Sequence, residues 1–221
     1  MSLQNRVTPL GEIIANPARG TLMGNRGCLH DGQQRVVRAA TRDAWITCRQ
    51  DWKGIRRQLM APGNYTELFF LDEATALAAG HRPCGECRGE QLRGFQGAWA
   101  AGVAGVPGTR TLVGDIDTVL KSERRIVSGQ RITYRSMLGE LPDGAMIVRS
   151  GLPLLKWQGH LHRWSPARYT GSEVIDPGSY ADVLTPPSIV RVLQAGYVPG
   201  VHSSAHCQAP TAFFFHSIRP A

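Results

Sequence analysis

Up to residue 70 the apolar positions come in short runs separated by Gly, Pro, Asn and Asp, at 21–30, 35–39, 44–48, 56–59 and 66–70. Runs of this length bounded by turn residues predict strands, and Asp31-Gly32 predicts a two-residue hairpin turn between the first pair. Pro62-Gly63-Asn64 turns the chain into the last run. Residues 4–20, with Pro9, Gly11, Pro17 and Gly20 around the apolar stretch 10–15, predict an ordered loop with one short strand or turn. The pattern as a whole predicts a small antiparallel sheet of about four strands. Gly20, Gly24 and Gly27 fit no nucleotide-binding spacing and are assigned to turns and bulges.

From residue 71 the period changes. Asp72 is a suitable N-cap, 73–79 are strong helix formers, and Gly80 supplies a left-handed terminating residue before Pro83. A second helix begins near Arg88, with Leu92, Phe95 and Trp99 at i, i+3 and i+7, and ends near Gly102. A third is predicted over 115–126, capped by Asp115 or Asp117, with Val119, Leu120 and Ile126 inward. Beyond Gly129 the strand pattern returns: 145–148, 154–157 and 160–164 predict a three-stranded meander. Thr185-Pro186-Pro187 opens a last helix, Thr185 its N-cap, which Gly196 ends. The fold class expected is α+β. Residues 1–128 form a mixed part with a metal-bound helix hairpin, 129–205 form a strand-rich part with a closing helix, and the two can share one core. Residues 206–221 form a tail, disordered unless Phe213, Phe214 and Phe215 dock. Residues 195–199 echo 79–83 and would place Gly200 and Ser203 where Cys84 and Cys87 stand, either as a duplicated unit without metal or as common helix punctuation.

Composition changes this picture little. The 221 residues are 42% hydrophobic and 19% charged, ordinary for a globular chain. With no long apolar run, the expectation is a cytoplasmic protein without a membrane span. Charge adds more. The formal net charge is +8, and Lys53, Lys121 and Lys156 are the only lysines, so the excess is arginine. Arginine suits bidentate phosphate contacts and base stacking, so the excess leans toward a nucleic-acid partner. Lys121, Arg124, Arg125, Arg131 and Arg135 form a basic run that reads as an exposed face or a phosphate-contacting one. Trp157, Trp164, Tyr169 and Tyr180 are either core or a stacking surface.

The candidate chemistry lies in the cysteines. Five of them, unevenly spaced, do not make a disulfide framework. Cys84 and Cys87, two residues apart in a Gly-containing turn, have the spacing of half a zinc site; a redox pair is the competing reading, but such a pair normally opens a helix after a βαβ-type strand. Further ligands come from Cys28 and His30, which share one strand face, or from Asp51; His81, constrained by Arg82-Pro83, ranks last. His160 and His162 also share a face, and His202, His206 and Cys207 cluster near the end, both without a completing ligand.

The stretch Ala78-Ala79-Gly80-His81-Arg82-Pro83-Cys84-x-x-Cys87-Arg88, preceded by Phe69-Phe70, resembles the second half of the zinc domain of Ada-type DNA methylphosphotriester repair proteins, and Trp45-Ile46-Thr47-Cys48-Arg49 resembles its upstream strand. The resemblance spans about residues 45–88. It implies a zinc held by four cysteines, the first of which accepts a methyl group from the DNA backbone. Cys48 takes that first position, whereas the second upstream cysteine is replaced by Trp52. Zinc ligands expected here are therefore Cys48, Cys84, Cys87 and Cys28, with His30 or Asp51 as alternative fourth ligand. Arg49, Arg56, Arg57, Arg82, Arg88 and Arg93 are the arginines expected at phosphates. Three functions follow: zinc-stabilised nucleic-acid binding, an enzyme acting on DNA (a methyl acceptor at Cys48, or a zinc-dependent hydrolase with Glu86 or Asp51 as base), or a non-enzymatic interaction protein.

Overall fold

A computed structural model of the chain describes residues 2–54, 58–124, 126–127 and 130–206. Arg56 and Arg57, and the tail from residue 207, lie outside them. The fold is α+β. Strands β1 (Gln4–Val7), β2 (Ile13–Ala15), β3 (Leu22–Asn25), β4 (Ile46–Cys48) and β5 (Leu68–Phe70) precede helix α1 (Glu73–Ala78), and β6 (Arg82–Pro83) follows it. They form one six-stranded sheet in the order β2-β1-β5-β3-β4-β6.

This sheet corrects the expectation of an antiparallel sheet of about four strands. It is mixed, because β1 lies parallel to β5 and β6 parallel to β4. The Asp31-Gly32 turn makes only a single bridge, His30 to Val36. Asp31 explains why: its carboxylate accepts from the Gln33 and Arg35 amides, so the turn's hydrogen bonds close locally. Leu29 meanwhile donates its N–H to the Thr66 hydroxyl rather than to a ladder partner.

The remainder comprises α2 (Gly89–Gly102), α3 (Val113–Glu123), the two-residue pair β7 (Ile126–Val127) and β8 (Gln130–Arg131), then β9 (Tyr134–Met137), β10 (Met146–Arg149), β11 (Leu152–Trp157), β12 (His160–Arg163), β13 (Thr170–Val174), β14 (Tyr180–Val183) and α4 (Pro187–Gln194). The second sheet runs β13-β12-β11-β10-β14-β9, each neighbour antiparallel. The expected meander is its centre. Two cap assignments change. Asp115 and Asp117 lie inside α3, whose N-cap is Leu112 with no side-chain bond, and Ile126 stands in β7. Thr185 accepts from the Met146 amide, and α4 is capped instead by the Glu123 carboxylate, which takes the N–H and hydroxyl of Ser188. A carboxylate there opposes the positive end of the helix.

All six residues of α1 are buried, and the helix joins the molecule's clusters. Leu71, Ala74 and Ala78 pack with Met146 and Leu155 of the second sheet and with Tyr169 and Leu184, which flank its strands β13 and β14. Leu77 packs with Phe95, Trp99, Ile116, Leu120, Ile189 and Leu193 of the other three helices. Ala76 and Ala79 meet Val7, Leu68 and Phe70 of the first sheet. A helix wrapped on three sides must be small, which the alanines provide.

The start of α1 is tied by its acids. Asp72 accepts from the Thr75 amide at 2.9 Å, the Tyr169 hydroxyl at 2.8 Å and the His202 amide at 2.9 Å; burial nevertheless raises its pKa. Glu73 accepts from the Tyr197 hydroxyl and the Gly200 amide and pairs with Arg88 at 2.8 Å. The echo between 79–83 and 195–199 is thus helix punctuation. Gly80 and Gly196 both have positive φ, and the amides of His81 and Tyr197 fold back on Ala76 and Val192 in the same way. Gly200 turns toward Glu73, not toward a metal position. At Gly80 glycine is required twice over: φ is +79°, and a Cβ would lie 2.6 Å from the Arg124 side chain. No helix among the described residues is long and apolar enough to cross a membrane.

Candidate metal centre

Two parallel strands bring the cysteines together. Thr47 of β4 lies beside Pro83 of β6, and the Cys84 amide donates to the Thr47 carbonyl at 2.9 Å, so the chain leaves both strands at the same end. Cys48 is the last residue of β4 and Cys84 the first after β6. The chain then turns, the Arg88 amide reaching back to the Cys84 carbonyl at 3.2 Å, and this turn returns Cys87 to the pair. The three sulfurs lie within 4.8 Å of one another. Backbone amides point at two of them: Glu86 N–H at Cys84 Sγ, 3.4 Å, and Arg49 N–H at Cys87 Sγ, 3.3 Å. Such donors stabilise thiolate charge.

Two buried arginines hold this corner. Arg88 donates to the Thr47 hydroxyl at 2.6 Å while pairing with Glu73, which ties the turn to β4 and α1. Arg82 makes a two-pronged pair with Asp117 of α3 at 2.8 and 2.7 Å. Both are almost fully covered, so neither is placed to meet a phosphate at the surface. This departs from their expected role. A motif shows that an arginine is present but not whether a carboxylate distant in sequence has already taken it.

The thiols share protons unequally. A hydrogen bond from Cys48, with backbone N–H groups of Cys87 and Glu86, holds Cys84 down to about 5, against the opposing effect of burial. Cys48 is pushed far up, first by that same hydrogen bond to Cys84 and then by burial. Burial also raises Cys87, although the Arg49 amide opposes it. The opposite directions for Cys48 and Cys84 describe one proton held between two sulfurs. Near neutral pH the cluster is thus anionic at Cys84, the deepest of the three.

Three sulfurs at this spacing fit a tetrahedral thiophilic ion, since Zn–S bonds of about 2.3 Å put sulfurs roughly 3.8 Å apart. The donor set fits zinc, and the amide donors aimed at the sulfurs are what a metal–thiolate centre needs around it. Among the described residues no fourth His, Cys, Asp or Glu joins the group. All three cysteines line a cavity of about 510 Å³, together with Met23, Arg42, Arg49, Trp52, Glu67 and Phe69. Trp52 stands where the resemblance places a cysteine. Its indole N–H is buried without a hydrogen-bond partner.

The other expected ligands lie apart. Cys28 contacts the His30 carbonyl at 3.8 Å, while His30 is held by the Thr66 hydroxyl at 2.6 Å and the Ala61 carbonyl at 3.3 Å. Both therefore serve the loop that replaces the expected hairpin. Asp51 is exposed and outside the cysteine group, and His81 is fully buried under Trp45 and Phe70. His160 and His162 have rings 6.0 Å apart on β12, and among the described residues no third ligand joins them. Trp157, Trp164 and Tyr169 pack in the core cluster around α1, and only Tyr180 of the four aromatics is exposed. Of the arginines, Arg49 and Arg93 are exposed, and Arg42, also exposed, stands with Arg49 at the cavity. Glu67 has no motif to reveal it: it is buried beside the cavity and accepts from the Met60 amide at 2.8 Å. No protein-family model, curated protein or solved structure matches the chain.

Proposed function

We propose that this is a zinc protein whose metal, held by Cys48, Cys84 and Cys87, serves a ligand taken from the adjoining cavity. The observation that carries this reading is that the three cysteines converge on a cavity without a fourth protein ligand among the described residues. Structural zinc sites are closed by four protein ligands, whereas functional ones keep a position for a molecule from outside. Zinc bound there would keep the thiolates anionic at neutral pH and act as a Lewis acid toward its ligand. Arg42, Arg49 and the unpaired indole N–H of Trp52 would receive an anionic, acceptor-bearing group at the cavity. The test is cobalt substitution. Addition of azide or a small thiol is expected to change the d–d absorption of the cobalt protein saturably; a spectrum indifferent to both would mean a closed site.

A second reading rests on the position of Cys48. It is half-buried at the cavity wall with exposed arginines beside it, and the resemblance over residues 45–88 gives it the methyl-accepting role on DNA. Methyl transfer from a phosphotriester oxygen to the Cys48 sulfur would leave an ordinary phosphodiester. Zinc-loaded protein incubated with methylphosphotriester DNA should then gain one methyl group, located on Cys48 by peptide mass spectrometry. Unchanged mass after complete zinc loading sinks this reading and leaves the ligand site in place.

A further inference from the structure

A second feature lies at the other end of β4 from the thiols. Among the described residues, seven buried side-chain nitrogen or oxygen atoms have no hydrogen-bond partner; four of them are Arg26 Nη2, His81 Nδ1, and Nε and Nη2 of Arg131. Buried N–H donors are almost always satisfied, so four in one neighbourhood need an explanation.

The neighbourhood is continuous. Arg26, 2% exposed, donates from Nε to His81 Nε2 at 3.2 Å and from Nη1 to the Gly11 carbonyl at 3.1 Å. Because His81 accepts at Nε2, its neutral ring carries the proton on Nδ1, one of the unpaired atoms. A Cβ placed on Gly11 would lie 3.4 Å from Arg131 Nη1, so Arg26 and Arg131 both border this glycine. Arg26 stacks on Trp45 at 3.9 Å and Arg124 at 4.2 Å. Arg124 in turn donates to the carbonyls of Gly80 and Asp43.

Three guanidiniums are therefore gathered around a neutral histidine, and the nearby acids are engaged elsewhere. Glu123 caps α4, Asp117 holds Arg82, and Asp43 pairs with Lys121 at 2.9 Å. A buried charge without a counter-charge is costly. Burial, then the two neighbouring guanidiniums, push Arg26 down to about 9, which still leaves it charged at neutral pH. Burial, then Arg124, likewise push Arg131 down to about 10, with the Glu123 carboxylate opposing them.

We propose that Arg26 and Arg131, meeting at Gly11, form a binding site for a small tetrahedral oxyanion of the phosphate class. Its oxygens supply several acceptors in different directions, matching the three unpaired guanidinium nitrogens, whereas a halide supplies none of that directionality. The unpaired atoms are each covered from solvent, which favours a small free ion. Gly11, Trp45, Arg124 and Arg131 are only half-buried, so the site lies just below the surface. The site is separate from the thiols: none of its residues lines their cavity.

The test is a titration of the full chain with inorganic phosphate at constant ionic strength, sodium chloride balancing, followed by thermal unfolding and by isothermal calorimetry. Wild type should show a saturable rise in Tm and saturable heat. Arg131→Met should weaken phosphate at least tenfold, and without phosphate it should unfold no earlier than wild type, because burial and Arg124 outweigh Glu123 in their effect on the cation it removes. Arg93→Met, at an exposed position of α2, should bind phosphate as wild type does. No saturable effect beyond the chloride control, an undiminished effect in Arg131→Met, or an equal loss in Arg93→Met would each overturn the proposal.

Discussion

Replacing Cys84 by serine should reduce zinc in the purified protein from one per chain to a small fraction. Cys84 is the buried member of the trio, shares a proton with Cys48 and receives the Glu86 amide, so it is the pivot of the donor set. Loss of a supporting outer partner already costs a metal centre about 10–100-fold in affinity, and a ligand itself should cost more. Because zinc binding free energy is also folding free energy, the end of β4 and the 84–88 turn should lose protection from hydrogen exchange together.

The pH dependence follows from the thiols. Cys84 is already a thiolate above about 5, whereas Cys48 and Cys87 are raised and must each lose a proton to bind metal. Raising the pH from 6 to 8 should thus strengthen zinc binding by roughly two decades per pH unit while both thiols remain protonated. Competition with a chromophoric chelator measures both effects. Full zinc occupancy in Cys84→Ser, or pH-independent binding by wild type, would remove the centre as drawn.

The second large effect is expected at Asp117. Asp117→Asn leaves Arg82, 6% exposed, without its counter-charge. Breaking a buried pair from one side costs about 3–5 kcal/mol. For a chain of this size that lowers Tm by roughly 6–20 °C. Arg82 immediately precedes Pro83-Cys84, so zinc affinity should fall with it. Arg82→Met with Asp117→Leu removes both charges and should recover most of the stability, because the penalty belongs to the stranded cation. Thermal unfolding of the two variants decides this, and an Asp117→Asn protein within about 1 °C of wild type would mean the pair carries no such load.

Much of the local structure was legible in the chain. Asp72, Gly80 and Pro83 bound α1; Leu92, Phe95 and Trp99 mark α2; the turns at Ser150-Gly151 and Gln158-Gly159 mark the meander. Each depends on residues a few positions apart, and so does the Cys84–Cys87 pair. Errors began where the sequence offered two local options. Asp115 and Asp117 both looked like caps, yet Asp117 had a stronger use against Arg82, and the carboxylate that caps α4 comes from Glu123, in the preceding helix.

An α+β chain with helices at these places, a two-cysteine turn and an arginine excess can be read from residue order, because backbone preference and side-chain period act over one or two turns. Other features needed the folded chain: β6 lies parallel to β4 and so adds Cys48 to Cys84 and Cys87, Cys28 and His30 serve a loop, and Arg82 and Arg88 clamp the interior while Arg42 and Arg49 stay at the cavity. Burial and charge pairing depend on which distant segments meet, and short strands with two or three ladder residues carry no local record of their neighbours.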